Sequence, residues 1–358
     1  VSLLIHGTTL ATNAIIERKG AKIALITTEG HRDSLEMALE NRFEQYDINI
    51  DRPAPLAPRQ LRWSVKERLN VAGDTLIPLD EASVEAILPL IAKHKIEALA
   101  VGLLHSYANS EHEERVRDIV RAAYPDLPIS ISSEVAPEIR EYERQSTTTA
   151  NAYVQPKMSR YLTELERQLK AGGFDCPFLL MTSGGGLTTL QTAIQFPIRL
   201  VESGPAGGAI LAAEIAKEAG LNRVVSYDMG GTTAKICLID DGQPLSTRTF
   251  EVARAYRNMK GSGLPVRIPA IEMVEIGAGG GSIAHVDGMG RLQVGPESAG
   301  SAPGPACYDL GGDQPTVTDA DVVLGKIEPA RFAGGSVKLA PEKADAAVAS
   351  GVGEKLNM

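Results

Sequence analysis

Cysteine is scarce in this chain. There are three, Cys176, Cys237 and Cys307, odd in number and far apart. That excludes a disulfide framework and a four-cysteine zinc site, and it fits a reducing cytoplasm. No apolar run approaches the ~20 residues that span a bilayer, and no signal peptide is read, so neither membrane insertion nor export is expected. Basic charge is also short: 36 Lys and Arg against 45 Asp and Glu leave a net charge of −9. A nucleic-acid binder would show a basic surplus or stripe, so none is expected as a partner. The six histidines show no His-x-x-x-His pair or carboxylate cluster at zinc spacing. No Walker A loop occurs. Gly277-Ala278-Gly279-Gly280-Gly281-Ser282 lacks the third glycine of a Rossmann fingerprint and leads into a strand.

What remains is a globular chain of 358 residues, 43% apolar and 23% charged, long enough for about two domains. It begins with Val1, not Met, enters at once into an apolar strand, and ends at Met358 in what reads as unfinished domain, so a fragment truncated at both ends is expected. Strands at Leu3–His6, Lys22–Thr27, Ala98–Leu104 and Ile129–Ser132 alternate with helical patterns, including one over Asp80–His94 with Pro89 inside it. A long helical stretch over Pro137–Gly172, kinked near Pro156, separates a first domain (1–145) from a second (146–358). In the second, a small-residue helix over Pro205–Ala219 precedes hairpins. One pairs Val224–Tyr227 with Lys235–Ile239, another lies around Pro244–Val252, and a third pairs Ser282–Val286 with Leu292–Val294.

Glycine, 35 residues, is clustered. Between two apolar strands stands Asp228-Met229-Gly230-Gly231-Thr232-Thr233-Ala234-Lys235. A bare glycine turn flanked by hydroxyls offers backbone N–H groups to an anion, so Gly230, Gly231, Thr232 and Thr233 are candidate phosphate ligands. Asp228, at the strand end, suits Mg²⁺ held partly through water, and Lys235 suits charge neutralisation. The bland alternative is a turn whose Asp and Thr satisfy their own backbone. Gly279, Gly280, Gly281 and Ser282 follow the strand Met273–Ile276; so loose a loop implies close approach to a ligand or to backbone. Ser183-Gly184-Gly185-Gly186 obeys the same logic less strongly.

The Asp228 motif resembles the second phosphate motif of the actin–hexokinase–Hsp70 ATPase superfold. Val201-Glu202-Ser203-Gly204-Pro205-Ala206-Gly207-Gly208 resembles that superfold's first connecting helix. The nearer resemblance is to the hydantoinase A/5-oxoprolinase family. It rests on His6-Gly7-Thr8-Thr9-Leu10-Ala11-Thr12-Asn13-Ala14, Glu202-Ser203-Gly204-Pro205, the Asp228 motif, Gly277–Ala284, Pro303-Gly304-Pro305-Ala306-Cys307-Tyr308 and Thr316-Val317-Thr318-Asp319-Ala320-Asp321. These come in the family's order and cover nearly the whole chain. The family's first phosphate motif, Asp-x-Gly-Gly-Thr, and its later adenosine motif are absent from these residues. Lys235 stands where many relatives carry Asp.

The resemblance implies an α/β fold of two lobes, actin-like (ribonuclease H-like), around a nucleotide cleft. It implies ATP and Mg²⁺ (or Mn²⁺), and ring-opening hydrolysis of a cyclic amide such as a hydantoin, N-methylhydantoin or 5-oxoproline through a phosphorylated imidate. It also implies a hydantoinase B-type partner in a hetero-oligomer. The alternatives are an ATP-dependent carboxylase subunit of the acetone/acetophenone type and a non-catalytic ATP-switched binding module. Glu202 is placed by the resemblance near a metal-bound water or the reacting oxygen, or else is a helix N-terminal acid. His6, Thr8, Thr9 and Asn13, at a strand end before a helix, contact phosphate or substrate, or else Thr8 or Thr9 is an N-cap. Asp319 and Asp321 ligate metal or position substrate, or else Asp319 is an N-cap.

Overall fold

The computed structural model describes all residues except Thr232 and residues 255–258. The chain divides into two compact units, Val1–Leu211 with Leu245–Ile271, and Ala212–Pro244 with Glu272–Met358.

The first unit is built on a four-stranded parallel sheet in the order Arg62–Val65, Ile23–Thr28, Ala98–Gly102, Ile129–Ile131. Ile23–Thr28 and Ala98–Gly102 are buried on both faces, as continuous apolar strands of a parallel sheet must be. A second sheet pairs Leu4–His6 in parallel with Phe178–Met181, which returns to Leu187–Thr189. The helix Glu141–Ala171 crosses the unit with Pro156 inside it, and every residue from Glu143 to Val154 is buried.

That stretch is polar, and its burial is tolerated because most of the polar groups are bonded, Glu143 Oε2 being an exception. Gln145 Nε2 donates to Thr27 Oγ1 (2.9 Å) and to the Gly102 carbonyl (2.8 Å). Arg144 Nη2 donates to the Leu103 carbonyl (2.8 Å). Each such buried group left unpaired would cost about 1–3 kcal/mol.

Two local expectations are corrected here. Residues 80–94 form two helices, Glu81–Glu85 and Leu88–His94. Pro89 sits in the first turn of the second, where a missing N–H costs nothing. The segment around Pro244–Val252 is not a hairpin with itself. Ser246–Thr247 pairs with Ala270–Ile271, and Phe250–Val252 with Leu264–Val266, because strands this short need partners supplied from later in the chain.

In the second unit, Arg223–Met229 and Ala234–Asp240 pair antiparallel, and Val274–Ile276 adds to the latter. Ser282–Val286 pairs with Leu292–Ser298. The helix Val317–Val323 follows, capped by Thr316. Among the described residues no helix is long and apolar enough to cross a membrane.

Candidate functional site

In the second unit, four motif segments are joined by one relay of hydrogen bonds. Its outermost member is the turn after Arg223–Met229. The Gly230 N–H donates to the Thr233 carbonyl (2.9 Å), closing the turn. The Gly230 carbonyl accepts from the Gly280 N–H (2.9 Å), and the Gly231 carbonyl from the Gly281 N–H (2.8 Å). The Gly280 carbonyl accepts from both the N–H (2.8 Å) and the Oγ1 hydroxyl (2.9 Å) of Thr318. Asp319, the next residue, is fully buried. Its carboxylate accepts from the Ala306 (3.2 Å), Cys307 (2.8 Å) and Thr316 (2.9 Å) amides and from Thr316 Oγ1 (2.7 Å).

This geometry answers the sequence reading residue by residue. The amides of Gly280 and Gly281 bond to protein, and the Gly279 N–H donates to Ser282 Oγ (2.8 Å). The close approach these glycines permit is therefore to backbone. A Cβ on Gly280 would stand 2.7 Å from Thr318 Oγ1, and one on Gly281 2.9 Å from Ser298 Oγ and 3.0 Å from the Gly231 carbonyl. The Gly230 amide is also engaged inside its turn. Nothing lies within 4 Å of where a Cβ on Gly231 would be, so that side of the turn is open. Thr232 lies outside the described residues; Thr233 is half-buried.

Asp319 is neither an N-cap nor an open ligand. Thr316 is the N-cap, and Asp319 is the third helical residue, completing a capping box. Asp321, on the same helix, pairs with Lys326 Nζ at 3.4 Å.

Beside the turn, register places three charges in a row. Asp228 stands opposite Lys235, and Lys235 opposite Glu275. Directly opposed residues share a face of the sheet. Asp228 is exposed and Lys235 half-buried. Burial pushes the Lys235 pKa down, and Glu275 opposes that shift. Glu275 carries no motif, and only the register reveals it.

In the first unit, a second group of motif residues converges. The Thr8 N–H donates to Ser203 Oγ (3.0 Å), which donates back to the Thr8 carbonyl (3.1 Å). The Glu202 N–H donates to Thr12 Oγ1 (3.2 Å). A Cβ on Gly7 would meet Gly204 Cα at 3.4 Å, so the segments leading into the helices Leu10–Ile16 and Ser203–Glu218 touch backbone to backbone. Glu202 is buried and left-handed, at φ +59°. Thr9 is the N-cap residue of Leu10–Ile16 but makes no side-chain cap bond; Thr8 Oγ1 accepts from the Leu10 N–H instead (3.1 Å). His6 Nε2 bonds Tyr161 Oη (2.9 Å), and burial pushes its pKa down. Asn13 is exposed. Ser183 is structural: its Oγ donates to the Arg199 (2.8 Å) and Val201 (2.5 Å) carbonyls. Thr12, Ser203, Thr316 and Thr318 are hydroxyls to which sequence reasoning assigned no role, though all lie inside the quoted motifs.

Two family models match the chain, Hydantoinase/oxoprolinase N-terminal region over residues 1–124 and Hydantoinase/oxoprolinase over residues 144–358. The chain belongs to the hydantoinase/oxoprolinase family. It is 38% identical to caprolactamase subunit alpha of Pseudomonas jessenii, over 99% of this chain and 50% of that one. It is 36% identical to the acetophenone carboxylase gamma subunit of Aromatoleum aromaticum (100% and 50%), and 32% identical to 5-oxoprolinase of Saccharomyces cerevisiae (91% and 26%). The crystal structure of the ATP-dependent caprolactamase from Pseudomonas jessenii superposes with a TM-score of 0.81 at 37% identity, over 100% of this chain and 51% of that one. The chain spans about half the length of the caprolactamase and carboxylase subunits.

Proposed function

We propose that this chain is the ATP-using part of an enzyme that opens a cyclic amide by hydrolysis. The observation that carries this reading is the relay that seats the Gly230–Gly231 turn on Gly280–Gly281 and Thr318, beside the Asp228–Lys235–Glu275 row. Family membership and the ATP-dependent caprolactamase relative support it. In this proposal residues 1–145 are an N-terminal-type lobe and 146–358 an ATPase lobe of an actin-like fold. Ring opening is completed with a hydantoinase B-type subunit or domain.

An amide in a small ring resists direct hydrolysis. The ring carbonyl oxygen attacks the γ-phosphorus of ATP, and ADP departs with the bridging electron pair. Water adds to the imidate carbon, the ring C–N bond breaks with proton transfer to nitrogen to leave an acyl phosphate, and a second water hydrolyses that to carboxylate and free phosphate. Phosphoryl transfer needs position and charge from the protein more than covalent chemistry.

The open side of Gly231 admits a phosphate, and the Thr232 and Thr233 hydroxyls are the proposed donors. Lys235 neutralises transferred charge. Glu202 orients water or the reacting oxygen, with the Thr12 bond holding its backbone in place.

A divalent ion is implied as well. Among the described residues no group of three or more His, Cys, Asp or Glu is placed to hold one. An exposed single carboxylate fits Mg²⁺ or Mn²⁺ that retains water and phosphate oxygens as its other ligands. Asp228 would hold it, and the ion would supply charge for the phosphates.

The test is steady-state phosphate release by the whole protein with its partner, first with hydantoin, N-methylhydantoin, 5-oxoproline and other lactams, then with ketone plus bicarbonate. Stimulation by a cyclic amide is expected. Strict dependence on bicarbonate overturns the reading in favour of a carboxylase, which the acetophenone carboxylase relative makes the second reading. Turnover indifferent to every small substrate points to an ATP-switched binding module.

A further inference from the structure

A cavity of about 450 Å³ lies wholly inside the first unit, bounded by residues 135–138, 182, 187–188, 199 and 267–269. Three ionic side chains line it: Glu138, Arg199 and Arg267. Arg267 is neutralised, with Nη1 3.0 Å from Glu138 Oε2 and Nη2 3.1 Å from Glu143 Oε1.

Arg199 differs. Its guanidinium lies over the Phe196 ring, 4.5 Å from the centroid, and among the described residues no carboxylate pairs with it. Its backbone is fixed, the carbonyl accepting from both the N–H and the Oγ of Ser183 at 2.8 Å. The head group is half-buried, and that burial pushes its pKa down. This is the condition of a cation withdrawn from water with no anion in return. Leu187, Ile268 and Pro269 supply apolar surface, and Thr188 a hydroxyl.

We propose that this cavity binds a small organic monocarboxylate, with the Arg199 guanidinium taking both carboxylate oxygens. A stacked guanidinium is a planar fork whose edge matches a carboxylate in two parallel hydrogen bonds. With two acids on Arg267 and none on Arg199, the four groups carry no net charge, so a single negative charge placed on Arg199 suits the site. Glu138, in the same wall, disfavours a phosphate dianion. The volume falls within the range of small-molecule sites, and the apolar lining fits an organic body.

Binding is measured by calorimetric titration of the whole protein without nucleotide. The probes are propionate, isobutyrate and benzoate, their neutral amides, and inorganic phosphate. At least one acid is expected to bind, and its amide to bind at least tenfold more weakly. Arg199→Gln lowers acid affinity at least tenfold with an unchanged ligand-free melting temperature, and Arg199→Lys falls between. Leu187 lines the cavity from an exposed position, so Leu187→Trp narrows the cavity without touching the charge, and it abolishes benzoate binding. The proposal is overturned if no acid binds, if amide or phosphate binds as tightly as acid, or if folded Arg199→Gln binds normally. Should Arg199→Gln not fold, unchanged benzoate binding by Leu187→Trp overturns it and loss supports it. None of these readouts involves ATP, so failure here is separable from failure of the proposed turnover.

Discussion

Asp228 and Lys235 stand directly opposite each other on the two strands that flank the Gly230–Gly231 turn. Glu275 lies on the far side of Lys235, so the one cation sits in register between two acids. The arrangement holds a positive charge beside an open glycine turn while leaving Asp228 exposed for another partner.

Asp228→Ala is expected to abolish ATP turnover, at least a hundredfold, with little change in melting temperature. Asp228 is exposed, and exposed ion pairs contribute only about 0–1 kcal/mol. Phosphate release and thermal unfolding on the same preparation check both halves. Retained turnover would remove Asp228 from the site.

Glu202 separates chemistry from strain. A left-handed conformation costs a non-glycine residue roughly 1–2 kcal/mol, and Glu202 adopts it at φ +59°. Glu202→Gly is therefore expected to melt no lower than the parent protein while losing turnover. A variant that keeps full turnover leaves the carboxylate with no catalytic part.

Asp319→Ala is expected to destabilise by about 3 kcal/mol, because the Ala306, Cys307 and Thr316 amides lose a buried acceptor together. Urea unfolding measures this. A metal- or substrate-binding Asp319 predicts the opposite pattern, with stability kept and affinity lost.

Gly281→Ala forces a methyl to within 2.9 Å of Ser298 Oγ and 3.0 Å of the Gly231 carbonyl. Overpacking of this kind costs about 1–3 kcal/mol. Because the displaced partner is the Gly231 turn, turnover should fall together with stability. Gly288→Ala has open space around its Cβ and serves as the control.

Cys307 tests the buried end of the relay. Burial, with Asp319 accepting from the thiol, pushes its pKa up to about 12. The unfolded thiol ionises near 8.5. Between those values only the unfolded state loses its proton, so this group's contribution to stability is complete below about pH 8.5 and declines as pH rises toward 12. Iodoacetamide at pH 8 should label Cys176, which is part-exposed, and spare Cys307 until the protein is unfolded.

Much of this molecule was legible along the chain. The hairpins over 224–239 and 282–294, the alternation before residue 132 and the long helix over 141–171 follow from apolar periodicity and turn residues. Both are local: each needs only neighbours within a turn or a strand pair. The motifs themselves stand out along the chain as glycine clusters beside acids and threonines.

The partners of those residues were decided only by the fold. Glycines 279–281 fit a ligand as well as backbone until their amides are followed to Gly230, Gly231 and Ser282. Asp319 looks like a ligand or a cap until three amides and a hydroxyl are found on it. The polar run from Glu143 to Val154 gives no hint of burial, yet it lies in a core where Thr27, Gly102 and Leu103 satisfy it. A hydrogen bond is directional and short, so an amide's acceptor is set by the register and packing of segments dozens of residues away, and no local pattern carries that information.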